Sequence, residues 1–347
     1  MRTLRYLSAS TLALAATSTF AQSSVQLYGL VDTMIYHKQL AGAASDLRVD
    51  SGGLNTSFWG MRGREDLGGG LSVHFDLTSF FRVDTGESGR SAADPFFSRS
   101  SWVGLQGPWG DVRMGRQSTL GFTNMVRFTA FGGSSAFNPS FLHNYLASPT
   151  QPLMTALGAA DSTWNNTLSY STSPMSGFSG TLVVAPSEAT TAGRRYGASL
   201  SYAQGPFAAG LAIEKIGDMA LNFSKPPANV RITDSQVWNL GASYDFKAVK
   251  LYGLAIKTEL RNPTTKIDFD SYNIGAAVPV GSGKFLLSYG RTDRTQTAQA
   301  QVRRHTTTLA YEHSLSKRTQ LYAIAMHDRA SRLASGTGTA IGVRHQF

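Results

Sequence analysis

"TGTAIGVRHQF", residues 337–347, closes the chain. In an extended strand Thr339, Ile341, Val343, His345 and Phe347 fall on one face, and Ala340, Gly342, Arg344 and Gln346 on the other. Termini usually fray and carry polar residues. This one stops mid-pattern on a large apolar side chain, with nothing after it to cover that side chain. Such an ending is favourable where the outward face meets an apolar medium and the strand edge is paired with another strand.

The same period of two runs back through the chain. "SVQLYGLVDTM" sets Val25, Leu27, Gly29 and Val31 against Gln26, Tyr28, Leu30 and Asp32. "WNLGASYDF" sets Trp238, Leu240, Ala242, Tyr244 and Phe246 against Asn239, Gly241, Ser243 and Asp245, and "KFLLSYGR" sets Phe285, Leu287 and Tyr289 against Lys284, Leu286, Ser288 and Gly290. No comparable window sustains a helical repeat. Seven short turns (65–71, 107–111, 173–178, 204–207, 245–250, 279–284 and 314–319) alternate with eight longer polar stretches (38–53, 84–94, 117–163, 187–193, 217–232, 260–266, 294–301 and 330–336). Fifteen connections of alternating length require sixteen strands in an up-and-down meander.

Sixteen such strands close in one of two ways. A two-sheet sandwich buries its apolar faces, whereas a transmembrane barrel turns them towards lipid and lines water with polar residues. Segments of about ten to thirteen residues are long for a sandwich strand and suit a tilted bilayer crossing. Aromatic residues near strand ends, such as Tyr244, Phe246, Phe285, Tyr289, Tyr311 and Phe347, suit an interfacial girdle. The residues therefore favour an all-β, sixteen-stranded antiparallel barrel over residues 22–347, with Phe347 facing lipid and the last strand closing on the first.

Composition narrows the compartment. Residues 1–21 carry Arg2 and Arg5, a short apolar middle and a small-residue end, the pattern of a secretory signal peptide with cleavage near Ala21. The net charge is +10 and there is no cysteine, so disulfide scaffolds and thiolate metal sites are ruled out. No cofactor or metal is expected. Seven histidines are scattered without HExxH or GxSxG spacing, which leaves no indicated nucleophile; His74 with Asp76 is the one pair that alternation places together. A catalytic role is not expected. The basic balance includes no basic run or stacking platform of a nucleic-acid binder.

At this point "SVQLYGLVDT", "GMRGREDLGGGL", "SRSSWVGLQGPWGDVRMGRQ", "NNTLSYSTSPMSGFSG", "YEHSLSKRTQLYAIA" and the closing "GVRHQF" together resemble the general, non-specific porins of Gram-negative outer membranes, beta-proteobacterial type, in the order that family shows. The resemblance covers essentially the whole chain after the signal peptide. It implies a water-filled channel for passive diffusion of small hydrophilic solutes and ions, a homotrimer in outer-membrane lipid and lipopolysaccharide, and a final Phe347 read by the barrel-assembly machinery. It also implies a third loop folded into the lumen. Departures fall at Phe58, where the family usually carries a basic residue, near Thr78, where an acidic one is usual, and at His345, where tyrosine is common.

Residues 117–163 fit that third loop. The stretch is rich in Phe, Leu, Gly and Pro, and from Gln117 to Ala160 its one charged residue is Arg127. Phe122, Phe128 and Phe131 are the candidates to pack it on the wall. Alternation points Arg62 and Arg64 inward, and puts Arg82 with His74, Asp76, Thr78 and Phe80; Arg99 opposes Trp102 in parity, and Arg116 immediately precedes the loop. Arginine facing lipid at the midplane costs roughly 2–4 kcal/mol, which favours the inward assignment. Arg62, Arg64, Arg82, Arg99, Arg116 and Arg127, with Asp76 as the acidic residue beside them, are thus the expected anion path, with Arg116 either lining the pore or bracing the loop. The loop reaches Asp161 before it offers a carboxylate, so anion selectivity is expected. A substrate-specific channel for small anionic metabolites is the alternative.

Overall fold

The computed structural model describes residues 24–146, 162–187, 193–222 and 229–347. The signal peptide with its cleavage site, and Asp161 with the second half of the long loop, lie outside the described residues.

Strands β1 (Ser24–Lys38), β2 (Asp46–Ser51), β3 (Phe58–Gly68), β4 (Leu71–Phe80), β5 (Ser100–Gly107) and β6 (Gly110–Ser118) precede two short helices, α1 (Leu120–Arg127) and α2 (Pro139–Asn144). Then come β7 (Thr163–Ser171), β8 (Phe178–Ala185), β9 (Arg195–Gln204) and β10 (Phe207–Ile216). A separate two-stranded hairpin, β11 (Met219–Asn222) with β12 (Asn229–Ile232), stands in the following loop. The chain ends with β13 (Asp234–Asp245), β14 (Lys250–Arg261), β15 (Lys266–Val280), β16 (Gly283–Gln296), β17 (Val302–Ser314), β18 (Thr319–Ala330) and β19 (Gly336–Gln346).

Each barrel strand pairs antiparallel with its neighbour, and β1 pairs with β19 from Leu30↔Gln346 to Lys38↔Gly338, which closes the sheet. One half of β1 pairs with β3 and the other half with β2, so β2 and β3 occupy a single strand position and the barrel has sixteen. The break between them is held by Asp32. Its buried carboxylate accepts the backbone N–H groups of Gly53, Leu54 and Asn55 at 3.0, 3.0 and 2.8 Å and the Tyr322 hydroxyl at 2.6 Å.

The last residue completes the closure. Phe347 N–H donates to the Gly29 carbonyl, and Gly29 N–H to the Phe347 carbonyl, both at 3.1 Å. A Cβ on Gly29 would sit 2.5 Å from the Phe347 ring, so this position in the first strand needs glycine to seat the terminal side chain.

On the outward face Leu240, Ile274, Leu287, Leu309 and Ile341 stay exposed, while Asn239, Asn273, Ser288 and Thr308, which alternate with them on the inner face, are buried. Exposed aliphatics outside and buried polar groups inside are the inverse of a soluble sheet protein and the pattern of a lipid-facing barrel. The inner face is itself divided. Along β13–β19 and the second half of β1 many inward positions are apolar, among them Met34, Leu254, Ile256, Leu286, Ile324 and Met326, whereas along β3–β6 most carry Arg, Gln, His, Asp, Ser or Thr.

Three local features differ from the sequence-based expectation. Residues 46–51, read as loop, extend the second barrel strand; the 217–232 loop carries the β11–β12 hairpin; and the long loop contains helices. The helices are eight and six residues long, too short to show a repeat, and stand on caps and wall contacts. Thr119 caps α1 by accepting from Phe122 N–H, and Asn138 caps α2 by accepting from Ser140 N–H with Pro139 at the first turn.

Candidate functional site

The segment 119–146 packs against the apolar half of the inner wall. Met125, Phe128 and Phe141 join Val237, Leu254, Ile256 and Phe269 in one buried cluster, and Phe131, Phe137 and Leu142 join Met34, Leu286, Tyr322, Ile324 and Met326 in another. Phe128 and Phe131 are buried in those clusters, and Phe122 packs edge-on to Phe141 and Tyr145 at 6.1 and 5.5 Å. Burying one such aromatic side chain is worth roughly 1.5–3 kcal/mol. This explains why half of the inner face is apolar: it is a floor for the loop.

Polar anchors fix the segment on that floor. Gly121 N–H donates to Glu214 at 3.0 Å, and the Asn124 amide donates to Asn239 Oδ1 at 2.7 Å. The His143 ring lies between the Thr292 and Thr306 hydroxyls at 2.9 and 2.8 Å, and Thr308 donates to the Phe137 carbonyl at 2.9 Å. Arg304, fully buried, donates to both oxygens of Asp328 at 3.0 Å and reaches the Leu142 carbonyl at 3.1 Å.

His143 gives this anchorage a pH dependence. Burial, with the Arg304 guanidinium beside it, holds the imidazole well below its ordinary value of 6.5, and the opposing Asp328 carboxylate offsets this only in part. A base whose folded value is depressed contributes stability above its unfolded value and loses it as pH falls. Loop anchorage is therefore expected to weaken below about pH 6.5, by at most ~1.4 kcal/mol per pH unit from this group. Thermal midpoints of wild type and His143→Gln between pH 7.5 and 5 check this: the wild type should lose more across that range, and equal slopes would contradict it.

The part of the wall formed by β3–β6 carries a second set of charges. Register places three rungs side by side: Tyr28–Gly60–Thr78–Ser100, then Gln26–Arg62–Asp76–Trp102, then Arg64–His74–Gly104–Arg113. Arg62 donates twice to the Gln26 carbonyl oxygen at 3.1 and 2.9 Å, and Arg64 donates to Gln106 at 2.8 Å. Neither these two nor Arg99 pairs with a carboxylate among the described residues. The Arg99 guanidinium lies 4.2 Å over the Phe58 ring. Arg127 shares the exposed side of α1 with Thr123, while Gly121, Asn124 and Met125 face the wall.

The acids on this wall are occupied. Asp76 accepts the hydroxyls of Tyr28, Thr78 and Ser100. Asp111 binds Arg113 at 2.6 Å and His74 at 2.8 Å, so His74 is paired with Asp111 and not with the Asp76 that alternation suggested. Among the described residues no group of three or more histidine or acidic side chains could hold a metal ion.

Three arginines lie where strand parity does not apply. Strand β4 ends at Phe80, so parity no longer governs Arg82; it is paired with Glu87 at 2.7 Å and borders an interior cavity shared with Lys38, Arg90 and the loop residues Ser135, Phe141 and Tyr145. Arg116 sits at a bulge between Gly115 and Gln117, is buried, and donates to the Ser98 carbonyl at 2.9 Å and to Asn165. Of the two roles left open for it, these contacts are those of a brace. Arg99 precedes the first paired residue of β5, and the parity argument fails there too: Arg99 and Trp102 border the same recess. Arg113 and Asp111 were missed, although "GDVRMG" places both on the face of Gly115.

A sixteen-stranded barrel with a lipid-facing exterior, an inner apolar floor and a cationic wall can be set beside known proteins. Outer membrane porin protein 32 of Delftia acidovorans is 32% identical over 362 residues, covering 96% of this chain and 97% of that protein. The anion-selective porin from Comamonas acidovorans superposes with a TM-score of 0.79 at 30% identity, over 94% of this chain and all of that one. OmpT of Vibrio cholerae in its trimer form shares the fold with a TM-score of 0.68 at 13% identity, over 94% of this chain and 99% of that one. The family model described as Gram-negative porin matches residues 8–333. Fold, wall and relatives agree: the chain belongs to the Gram-negative porins, outer-membrane barrels through which small solutes diffuse passively.

Proposed function

We propose that this porin is anion-selective, with the 119–146 segment as its constriction loop and Arg62, Arg64, Arg99 and Arg127 as the groups that set the sign of the field. The observation that carries this is the asymmetry of pairing. The four arginines have no carboxylate partner among the described residues, whereas Asp76 is turned into hydroxyls and Asp111 into an ion pair. A narrow, low-dielectric passage focuses such an excess and enriches counter-ions. The Comamonas acidovorans porin described as anion-selective supports the same sign.

Arg82 and Arg116 take lesser parts in this reading, as an ion-paired loop residue and a brace. Phe122, Phe128 and Phe131 hold the loop, and no enzymatic step is assigned. Liposome swelling with solutes of matched size tests the selectivity. Small monocarboxylates should enter several-fold faster than alkylammonium ions, and equal or reversed rates would contradict it.

The protein is further proposed to assemble as a homotrimer, to be inserted by the barrel-assembly machinery reading the strand that ends at Phe347, and to lose residues 1–21 on export. The trimeric form of the Vibrio cholerae OmpT supports the first of these. Unheated electrophoresis in mild detergent should show a species near three times the monomer mass that collapses on boiling; monomer alone in several detergents would remove the assignment.

A further inference from the structure

On the cationic wall each of three guanidiniums lies over an aromatic ring. Arg62 is 4.7 Å from the Tyr28 ring centre, Arg99 4.2 Å from Phe58 and Arg113 4.3 Å from Trp102. The rings themselves touch their neighbours, Tyr28 edge-on to Phe58 at 5.9 Å and His74 edge-on to Trp102 at 5.1 Å. All come from the adjacent strands β1 and β3–β6 or the residue just before β5, so the wall is one surface of alternating cations and π faces.

Two recesses open on this surface, of about 330 and 320 Å³, and share Asp76 and Trp102 as their common border. Arg62 and Arg64 line the first; Arg99 and Arg113 line the second, which Thr123 of α1 faces from the loop side. Recesses of this size with a few convergent polar groups suit a small organic ligand.

We propose that this wall is a binding site for small aromatic carboxylates, solutes the size of benzoate, on their way through the channel; the proposal rests on the anion-selective reading and specifies its solute class. The Nε and Nη2 donors of Arg62 are taken by Gln26 and those of Arg113 by Asp111, whereas Arg99, held over the Phe58 ring with no carboxylate partner among the described residues, can offer a solute carboxylate two N–H donors side by side. The ring of the same solute then lies against Trp102, which borders both recesses, while Phe58 holds the Arg99 guanidinium in place from behind. Chloride uses the charge alone, and an aliphatic acid of the same size lacks the π contact. Asp76 borders both recesses, and its oxygens accept the Tyr28, Thr78 and Ser100 hydroxyls, so its charge stays in the wall beside the larger positive charge of Arg62, Arg64, Arg99 and Arg113.

The test compares sodium benzoate with sodium cyclohexanecarboxylate, equal in charge and near in size, under bi-ionic conditions against sodium chloride in planar bilayers holding the full-length mature protein. Benzoate should permeate about threefold to tenfold better than cyclohexanecarboxylate, the value of one aromatic or cation–π contact. It should also depress chloride conductance at lower concentration. In Trp102→Leu and Phe58→Leu the preference for benzoate should fall towards unity, with chloride current in the same bilayers reporting that the channel is intact. Equal permeation of the two acids, both ahead of sodium, overturns this site and leaves anion selectivity standing. Sodium ahead of every anion removes both. A benzoate preference that survives both substitutions overturns the assignment to this wall.

Discussion

Replacing Arg304 with alanine is expected to lower stability by about 3–5 kcal/mol and to release the α2 end of the long loop. The side chain is almost wholly buried, as is Asp328, and the two are joined by paired N–H···O bonds at 3.0 Å. Removing one partner leaves the other charge buried and uncompensated, which is the costly half of a buried ion pair. Asp328 also accepts the Ala41 N–H at 2.9 Å and the Thr306 hydroxyl at 2.6 Å, so the damage spreads to the loop after β1 and to β17. Arg304 further donates to Leu142, which places barrel wall and loop in one network. Urea midpoints of the refolded variant should fall, and protease should reach residues near 140 in the folded barrel. The double replacement Arg304→Met with Asp328→Leu should recover much of the loss, because no charge is then stranded. A single variant as stable as wild type would contradict this reading of the network.

The second large effect concerns the current. Arg62→Glu together with Arg99→Glu should lower the chloride-to-potassium permeability ratio on the order of tenfold, through a change of four unit charges on one wall. At physiological salt the Debye length is about 8 Å, so a charge on the wall is felt across a narrow lumen, and the effect should shrink as salt rises. Arg318→Glu, in the short turn between β17 and β18, should change the ratio little. If the turn substitution and the wall pair act alike, the field is not set at this wall.

The barrel was legible because lipid imposes a strict rule on every crossing strand. Leu240, Leu287 and Ile341 had to face outward and Asn239 and Ser288 inward, and a one-residue error would reverse every assignment. The closing strand was legible for the same reason, down to the pairing of Phe347 with the first strand. What escaped the sequence follows no period. Asp32 holds a break 21 residues away and Tyr322 on the far side of the chain, and Arg304 holds a loop carbonyl 162 residues earlier. Helices α1 and α2 exist because Glu214, Asn239 and Thr292 wait for them on the wall. Among the arginines, alternation governs Arg62 and Arg64, inside a paired strand, and does not extend to Arg82, Arg99 and Arg116, beyond a ladder's end or at a bulge. Parity is a property of the ladder, and it ends where the hydrogen bonds end.

The sign of selectivity is tested most directly by the reversal potential of the wild-type channel in a KCl gradient across a planar bilayer. With Arg62, Arg64, Arg99 and Arg127 lacking a carboxylate partner among the described residues, the potential is expected to take the chloride sign and to shrink as total salt rises. A potential of the potassium sign would contradict the anion-selective field outright.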